Sequence, residues 1–568
     1  MKKLISALLI LAMLVAAVML AACGEENEPV VTEGTPTESQ SQATEASSAT
    51  DAETEPPKTE KPDDTVSESE TVPAETETVP ATESETETVT DSESETEPAT
   101  LPPETSPATS YTVEKAADYA DLDFAGKTFN IIYRWSPPSI KPSGWGMTFD
   151  CYIDEDNPDD AMSAAVRLRN SSMAAFYNCT VIGTPSNEPL GEARTAVQAG
   201  DATYDLCLAP YFNSYCNGEF YNIMSLINTD YDCWDTALIR DLALGGKIYG
   251  MAGDCTTAED DYQWVIYFNK AILRENNLED PYQLVYDGKW TLAKLYEMAR
   301  ECKKDLNGDD TIDSFRDIRG LVARAETCRF FWQGAGVRIF SPVQNDGKVV
   351  FTANVRGDEA NIYQDAVTLL NDDCTGGFRP EPSTGNRLGY PDDLVRAFTG
   401  GHCAFMIEGL YVTTKAALDE TDGIGDVIGL EWGLLPCPKY TEDQTQYYNF
   451  VWTQASFIGI PISLNFATAS NFLNVYGLMM QATVQKAFNN NIAYAYSNDE
   501  NVVKMLDIIY STRIWDASYW YASSTIDNNL VSDCGIGKNR WTSRIKAGQS
   551  PSEKLVDDYY NKHMTRDY

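Results

Sequence analysis

The sequence predicts an α/β fold with two lobes for residues 111–568. Short apolar runs alternate there with stretches whose apolar residues recur at helical spacing, a pattern typical of strands alternating with helices. The segment is roughly 460 residues long, which is more than a single hydrophobic core normally supports. Two lobes, each with its own core, are therefore expected.

The order of elements at the start of this segment predicts a parallel sheet. A first strand is predicted over 127–133, a helix over 159–177 and the beginning of a second strand over 181–183. A helix over 189–200 and a third strand over 204–209 follow. A β-α-β-α-β order gives parallel strands, and ligands of such sheets bind at the carboxyl ends of the strands.

The first 22 residues have the pattern of a secretion signal. Lys2 and Lys3 precede an apolar run over 4–20, and the small residues Ala21 and Ala22 stand directly before Cys23. The run is a signal and not a permanent membrane span. An ordinary cleaved leader with a chance cysteine is the alternative.

The box Leu-Ala-Ala-Cys resembles the lipobox of bacterial lipoprotein precursors. The resemblance implies that Cys23 carries lipid, as in palmitate-bearing lipoproteins, and becomes the first residue of the mature protein. Two acyl chains suffice for stable anchoring. The chain is therefore expected at the extracellular face of the cell membrane.

Residues 23–110 are predicted to be a disordered acidic linker. The segment from Gly24 to Ser110 contains 24 acidic residues and two lysines, about half of the net charge of −44, and it repeats Ser, Thr, Glu and Pro. It has too few large apolar residues to offset about 1–2 kcal/mol of backbone entropy per residue. Like charges should extend it into a stalk, although an acidic partner-binding tail is the alternative.

Charge, histidine and cysteine content exclude several classes of function. The domain after the linker is acidic, which argues against nucleic acid or anionic lipid as its partner. Only His402 and His563 occur, so composition nearly excludes a His-rich zinc site or a triad built on a central histidine. Twelve cysteines lie between Cys151 and Cys534 without a CxxC pair, and a mixture of free and bridged thiols is expected.

Seven short motifs follow one another in order across roughly residues 111–546. They are 204–206 (YDL), 224–227 (MSLI), 245–251 (GGKIYGM), 265–273 (VIYFNKAIL), 289–302 (KWT and its helix), 398–409 (FTGGHCAFMIEG) and 433–438 (GLLPCP). In this order they resemble the motifs of extracellular solute-binding proteins of ABC importers, the family that includes the maltose-binding type.

The resemblance implies a two-lobe, type II binding-protein fold that closes over a ligand by a hinge motion. It places the N-lobe at about 111–254 and 455–510, and the C-lobe at about 255–454 and 511–568. A strand over 457–461 would return the chain to the first lobe, before a helix over 467–488. It implies a monomer that delivers a solute, expected to be a sugar or oligosaccharide, to ABC permease subunits.

Candidate ligand-binding residues are aromatic or acidic side chains at motif positions near the expected cleft. Sugar rings need aromatic faces for stacking and carboxylates for hydrogen bonds to hydroxyls. The candidates are Tyr211, Phe212, Trp332, Glu408, Tyr411 and Trp452. Packing in a lobe core is the alternative for each aromatic residue, and a helix-capping role is the alternative for Glu408.

Residues 305–313 resemble the calcium loops of EF-hand and dockerin proteins. Oxygen ligands recur at alternate positions, and the candidate ligands are Asp305, Asn307, Asp309, Thr311 and Asp313. Asp310 replaces the turn glycine and Arg316 replaces the final acid, so Asp317 or another residue would have to complete the shell. A structural Ca²⁺ is predicted, with a solvated acidic loop as the alternative.

The sequence predicts a binding protein and not an enzyme. No nucleophile elbow, Gly-rich phosphate loop or HExxH motif occurs. The alternatives are a surface polysaccharide-binding adhesin, which the long linker favours, and an exported glycoside hydrolase with two carboxylates. An importer subunit binds a free small solute, an adhesin binds polymer, and a hydrolase turns substrate over.

Overall fold

The structure is a computed structural model that describes residues 113–135, 149–155, 157, 160–342, 349–413, 423–492, 499–522 and 526–566. The predicted signal over 1–22, the linker over 23–110 and the lipid attachment at Cys23 lie outside the described residues.

The described residues form thirteen strands and sixteen α-helices. The strands are β1 (Lys127–Arg134), β2 (Cys179–Ser186), β3 (Leu206–Ala209), β4 (Trp264–Asn269), β5 (Arg319–Val322), β6 (Phe340–Pro342), β7 (Val349–Phe351), β8 (Thr375–Gly376), β9 (Cys403–Gly409), β10 (Trp432–Leu435), β11 (Asn449–Phe450), β12 (Phe457–Gly459) and β13 (Arg513–Ile514). The helices are α1 (Ala161–Tyr177), α2 (Pro189–Gln198), α3 (Thr236–Leu242), α4 (Ala258–Asp261), α5 (Lys270–Glu275), α6 (Pro281–Tyr286), α7 (Leu292–Cys302), α8 (Thr327–Gly334), α9 (Glu359–Asn371), α10 (Asp392–Thr399), α11 (Phe466–Met480), α12 (Lys486–Asn490), α13 (Glu500–Ser511), α14 (Ala517–Ala522), α15 (Asp527–Cys534) and α16 (Trp541–Met564).

The first sheet has the strand order β12-β3-β1-β2. Strand β1 pairs in parallel with β2 and β3, with Ile131 opposite both Gly183 and Leu206. Strand β12 returns antiparallel to β3. The parallel β-α-β-α-β order predicted from the sequence is confirmed, because α1 and α2 connect these three strands.

The second sheet has the order β10-β4-β9-β5-β8 and mixes both directions. Strand β5 is parallel to β9 and β8, whereas β4 is antiparallel to its neighbours β9 and β10. Strands β4, β5, β9 and β10 are buried at every residue. Two further sheets have two strands each, β11-β13 and β6-β7. An α/β protein with two separate larger sheets is therefore confirmed as the fold class.

Three described segments carry the chain between the two sheets. Met251 bridges to Ile458 of β12, and the chain then reaches β4 at Trp264. The second segment follows β11, where Val451 bridges back to Gln263. The third follows α13, where β13 pairs in parallel with β11.

Helix α13, which follows the long helix of the first sheet in sequence, contacts the second sheet. It packs against β10 of that sheet, and Lys270, the first residue of α5, forms an ion pair with Asp499 at 2.6 Å. The sequence predicts that this segment belongs to the N-lobe, as part of 455–510. The predicted lobe boundaries stay predictions, but a division by sheets would group α13 with the second sheet.

The helix predicted over 467–488 is confirmed and contains one irregular turn. Helix α11 passes into a π-helical turn, Gln481–Gln485, and continues as α12. The wider turn presents Gln481 and Gln485 to the first connecting segment. Gln481 donates to Asp254 at 2.8 Å, and Gln485 donates to Asp260.

The cysteines are part of the apolar core. The twelve cysteines from Cys151 to Cys534 are buried and free. The expected mixture of free and bridged thiols is therefore not seen in this structure, where each thiol is enclosed by packed side chains. Among the described helices, none combines the length and the apolar character that crossing a membrane requires.

Candidate functional site

Charged and aromatic side chains gather at one edge of the second sheet. Strands β5 and β9 run in parallel and end at this edge, and the antiparallel β4 begins there, with Trp264 opposite Gly409. Arg324 follows β5, and Glu408 lies near the end of β9. This edge is also where the connecting segments from the first sheet arrive.

We call Tyr262, Arg324, Glu408, Tyr411 and Trp452 the arginine–aromatic cluster. The Arg324 Nε donates to Glu408 Oε2 at 2.9 Å, and a second guanidinium nitrogen of Arg324 also donates to this carboxylate. The same nitrogen donates to the Tyr411 hydroxyl at 2.7 Å, which in turn donates to Glu408 Oε1 at 2.9 Å. The three polar groups therefore form a closed ring of hydrogen bonds.

The aromatic members of the cluster stack on one another around the guanidinium. The ring centroids of Tyr262 and Tyr411 are 5.2 Å apart, and those of Tyr411 and Trp452 are 6.2 Å apart with an interplanar angle of 23°. The Arg324 guanidinium carbon lies 4.7 Å from the Trp452 ring centroid and 5.3 Å from that of Trp264. Such cation–π contacts are strongest where water is excluded.

Burial controls the electrostatics of the cluster. Arg324 is 1% exposed and Glu408 is fully buried. Burial opposes the charge of Arg324, but the adjacent Glu408 and Tyr411 overcome it and raise the pKa of the guanidinium. Burial first, and then Glu408, raise the pKa of Tyr411 well above its ordinary value. The tyrosine is therefore a neutral donor and the arginine a fixed cation.

Gly409 permits the close approach of the Tyr411 ring. A Cβ atom at Gly409 would lie 2.5 Å from the nearest ring carbon of Tyr411. The glycine at the end of β9 is therefore required for Tyr411 to reach Glu408 in this geometry.

A second polar group joins Asp150 to Thr256 and Thr257 of the first connecting segment. Asp150 is fully buried and accepts hydrogen bonds from the backbone N–H and hydroxyl of Thr257 and from the hydroxyl of Thr256. Arg169 of α1 donates to the carbonyl of Asp150 and, at 3.1 Å, to the Tyr476 hydroxyl. These bonds attach the helices of the first sheet to the connecting segment.

The structure brings together three of the six predicted ligand-binding residues. Glu408, Tyr411 and Trp452 meet in the arginine–aromatic cluster. Trp332 lies apart, fully buried beside the rings of Tyr363 and Trp541.

The remaining two candidates follow β3 of the first sheet. Phe212 is 1% exposed and packs against Phe457 and Tyr521. Tyr211 is 54% exposed and adopts a left-handed backbone conformation with φ of 70°. A non-glycine residue rarely adopts this conformation, which recurs at functional sites.

The predicted calcium loop adopts a series of tight turns. Asp305 accepts backbone hydrogen bonds from Asn307, Gly308 and Asp310. Asp310, at the position of the usual turn glycine, has a left-handed φ of 62°. The sharp turn of such loops is therefore made despite the substitution.

The other oxygens of this loop bond to neighbouring backbone groups. Asp309 accepts from the N–H and hydroxyl of Thr311, and Asp313 accepts from the N–H groups of Phe315 and Ser383. The buried Asp317 accepts from Leu306 and Asp313. Within the described part of the chain, no three His, Cys, Asp or Glu side chains form a group that could hold a metal ion.

A surface hollow of about 470 Å³ lies at the opposite end of β4, lined by residues that include Phe268, Lys270 and Asp280. It shares no residue with the arginine–aromatic cluster. We locate the candidate site at the cluster, because stacked rings and oriented charges converge there.

Sequence reasoning missed Arg324 and Tyr262. Arg324 follows the apolar run of β5 directly, and an arginine at the carboxyl end of a buried strand is a signal that could have identified it. Tyr262 ends an unusual acidic run, Glu259, Asp260 and Asp261, whose complete burial no local pattern indicates.

Neither a protein-family model nor a curated protein matches the chain. Solved structures are similar to it at low identity. The ABC substrate-binding protein Lmo0181 from Listeria monocytogenes, in complex with cycloalternan, is 14% identical with a TM-score of 0.45, over 78% of this chain and 99% of that one. Maltose-bound MalE3 of T. maritima is 14% identical with a TM-score of 0.46, over 76% and 100%. A sugar transporter from Rhizobium etli in an open conformation is 14% identical with a TM-score of 0.48, over 76% and 99%.

Proposed function

We propose that the chain is the solute-binding component of an ABC importer and that its solute is a carbohydrate. The observation that carries the proposal is the arginine–aromatic cluster, which lies at the carboxyl edge of the second sheet, beside the segments that connect the two sheets. Ligands of α/β sheets bind at such edges. The seven ordered sequence motifs support the same function.

The chemistry of the cluster suits sugars. Tyr262, Tyr411 and Trp452 offer aromatic faces of the kind that stack on the apolar faces of sugar rings, while Arg324 and Glu408 offer donors and acceptors for hydroxyls. The cluster is closed in this structure, since Trp452 is 5% exposed and Tyr411 is 2% exposed. Binding therefore requires these side chains to separate or the halves of the fold to open. A ligand contacting both halves would then stabilise the closed form.

A thermal-shift screen of the full-length protein against monosaccharides, oligosaccharides, amino acids and peptides tests the function. A binding protein gains about 2.7 kcal/mol of stability when its ligand is present at one hundred times its dissociation constant. A soluble sugar that raises the melting temperature without being consumed supports the proposal. Stabilisation by peptides alone contradicts the carbohydrate assignment, response to polymer alone indicates an adhesin, and turnover indicates a hydrolase.

The membrane anchor is a separate part of the proposal. Lipid on Cys23 would hold the domain at the outer face of the membrane, and the linker over 23–110 would let it reach permease subunits. Wild-type protein should then sediment with membranes and take up a lipid label. The Cys23→Ala variant should carry no lipid label in the membrane fraction. Equal lipid labelling of both proteins contradicts the anchor and leaves the binding function intact.

Calcium in the 305–313 loop is also proposed. Its support is the alternating oxygen pattern together with the left-handed turn at Asp310. In this structure the carboxylates of the loop accept hydrogen bonds from backbone N–H groups and do not converge on one point. Asp305, Asn307, Asp309, Thr311 and Asp313 would have to turn inward to hold the ion, whose role would be to stiffen the loop after α7.

A further inference from the structure

Helix α16 contacts both halves of the fold, the first half built on the first sheet and the second half built on the second sheet. Its first residue, Trp541, is fully buried beside the rings of Trp332 in α8 and Tyr363 in α9. These two helices follow β5 and precede β8 of the second sheet. A helix of 24 residues is about 36 Å long, so the other end of α16 can reach the first half.

The last turn of α16 and the residues after it contact the first half. Lys247 donates to the backbone carbonyl of His563 at 2.9 Å and also to that of Arg566. Arg566 donates at 2.7 Å to the carbonyl of Cys216, which lies in the short 3₁₀ turn after β3. We call residues 560–566 the C-terminal clasp, because they join α16 to the half of the fold that contains the first sheet.

The side chain of His563 is fully buried in the C-terminal clasp. The centroid of its ring lies 4.7 Å from that of Tyr249 and 6.4 Å from that of Tyr521. The ring lies near the Leu244 backbone, but neither ring nitrogen meets the geometry of a hydrogen bond with a described residue. Burying a polar group without a hydrogen bond is costly, and burying it as an ion is costlier. The packing therefore suits a neutral imidazole.

The described charged groups that act on His563 are cations. Burial first, and then Arg566, lower the pKa of His563 from its ordinary 6.5 to about 4, and Lys247 and Lys562 act in the same direction. Burial keeps Tyr521 neutral by raising its pKa well above its ordinary value. A positive charge is normally favoured in the last turn of a helix, but Lys247 already donates to the carbonyls there. The helix end therefore offers little compensation for a charged imidazole.

Pro551 lies inside α16, between its contacts with the second half and its contacts with the first. Proline has no N–H group and cannot donate to the carbonyl four residues earlier, which weakens a helix at that point. The turns after Pro551 can therefore separate from the first half while Trp541 stays in the second.

We propose that the C-terminal clasp is a pH-sensitive connection between the two halves of the fold. It holds while His563 is neutral, and it leaves the first half when the ring gains a proton, because a buried imidazolium would lie among three cations. One of the connections between the halves is then lost. The inference goes beyond the proposed function and does not depend on which solute is bound.

The pH range of the release follows from the two states of His563. The ring has its ordinary pKa of 6.5 once the clasp is released and a pKa of about 4 while it is docked. The docked form is therefore fully favoured above about pH 6.5 and becomes less favoured as the pH falls toward 4. The ratio of released to docked clasp should be roughly 30-fold higher at pH 5.0 than at pH 7.5.

Amide hydrogen exchange of the ligand-free, full-length protein at pH 7.5 and 5.0 tests the inference, with rates corrected for the intrinsic effect of pH. His563→Phe is the reference, because it retains an aromatic ring that does not titrate. Protection of the clasp in the wild type, relative to His563→Phe, should fall tenfold or more between pH 7.5 and 5.0. Protection around Lys247, which the clasp covers, should fall with it, whereas that of Ile545 near the start of α16 should not.

His402→Gln is the matched control, since it removes the other histidine of the chain and should keep the wild-type response to pH. The same variant leaves His563 as the single imidazole, whose charge is read by NMR of histidine-labelled protein and should be absent at pH 5.5. His563→Leu is a second non-titrating reference in case His563→Phe does not fold.

Three results would overturn the inference. The first is an equal response to pH in the wild type and the non-titrating reference, and the second is an imidazole that is already charged at pH 5.5 in the folded protein. The third is an equal loss of protection along the whole of α16, because the helix would then unfold as one unit. Since no solute is present in these measurements, their failure leaves the proposed function intact.

Discussion

At the scale of single residues, the buried pair of Arg324 and Glu408 illustrates how a charge can be retained in a core. The pair is stabilised by the Tyr411 hydroxyl and by the rings of Trp264 and Trp452. Such pairs contribute little net stability, but breaking one leaves an uncompensated buried charge. Their value here is the fixed orientation of Tyr411 and Trp452.

Glu408→Gln should therefore destabilise the protein by about 3–5 kcal/mol, measured by urea unfolding, because Arg324 stays charged and loses its partner. Glu431→Gln is the matched control, since its pair with Arg274 is more than half exposed on both sides, and it should cost less than about 1 kcal/mol. Equal effects of the two substitutions would show that the buried pair is not the source of the destabilisation.

Asp261 makes the stability depend on pH. Its pKa of about 8 in the folded protein exceeds the ordinary value, so its contribution is complete below about pH 4 and is lost as pH rises through 8. Between pH 5 and 8, the wild type should lose up to roughly 1.4 kcal/mol per pH unit relative to Asp261→Asn. Urea unfolding of both ligand-free proteins at four pH values measures this. If the free energies of unfolding of the two proteins change with pH in parallel, the raised pKa of Asp261 is not the source of the pH dependence.

At the scale of elements, regular patterns were predictable from sequence and irregular ones were not. Strand β1 and helix α1 agree with their predicted spans to within two residues, because apolar periodicity reports directly on strand and helix faces. The π-helical turn over 481–485 could not be predicted. It depends on contacts to Asp254 and Asp260, which are more than 200 residues away in sequence.

The candidate site was predictable to the extent that motifs marked it. Glu408 and Tyr411 lie in one motif, and the structure joins them. Arg324 and Tyr262 belong to other segments, and only the pairing of β4, β5 and β9 brings them to the same edge. Long-range strand pairing of this kind leaves no local signature in a single sequence.

The 305–313 loop is an element whose stability should depend on calcium. Calcium at one hundred times its dissociation constant should add about 2.7 kcal/mol and raise the melting temperature relative to chelator. Asp309→Asn should reduce this gain, whereas the exposed control Asp557→Asn should keep it. Melting temperatures that are identical with calcium and with chelator would show that the loop is a solvated acidic turn.

At the scale of the whole molecule, the connection between the two sheets is an ionic and hydrogen-bonded network. Arg513, the first residue of β13, pairs with Glu259 and Asp260 of the first connecting segment and donates to Gln263 at 3.1 Å. Gln263 donates to the Phe450 carbonyl at 2.7 Å, so the three segments share one network. Any motion of the halves has to bend or rearrange this network.

Arg513→Met should consequently destabilise the protein by about 3–5 kcal/mol, because two buried carboxylates lose their shared cation. Amide hydrogen exchange should rise most at β11 and β13, which the arginine holds together, and less at the core of β1.

Adding Glu259→Gln and Asp260→Asn removes the unpaired charges and should recover part of the loss. Arg540→Met is the control, since Asp533 keeps Arg544 as a partner at 2.6 Å. If amide hydrogens of the three connecting segments exchange equally slowly in Arg513→Met, backbone pairing alone sets the stiffness of the junction. Arg513 would then have no role in coupling the two sheets.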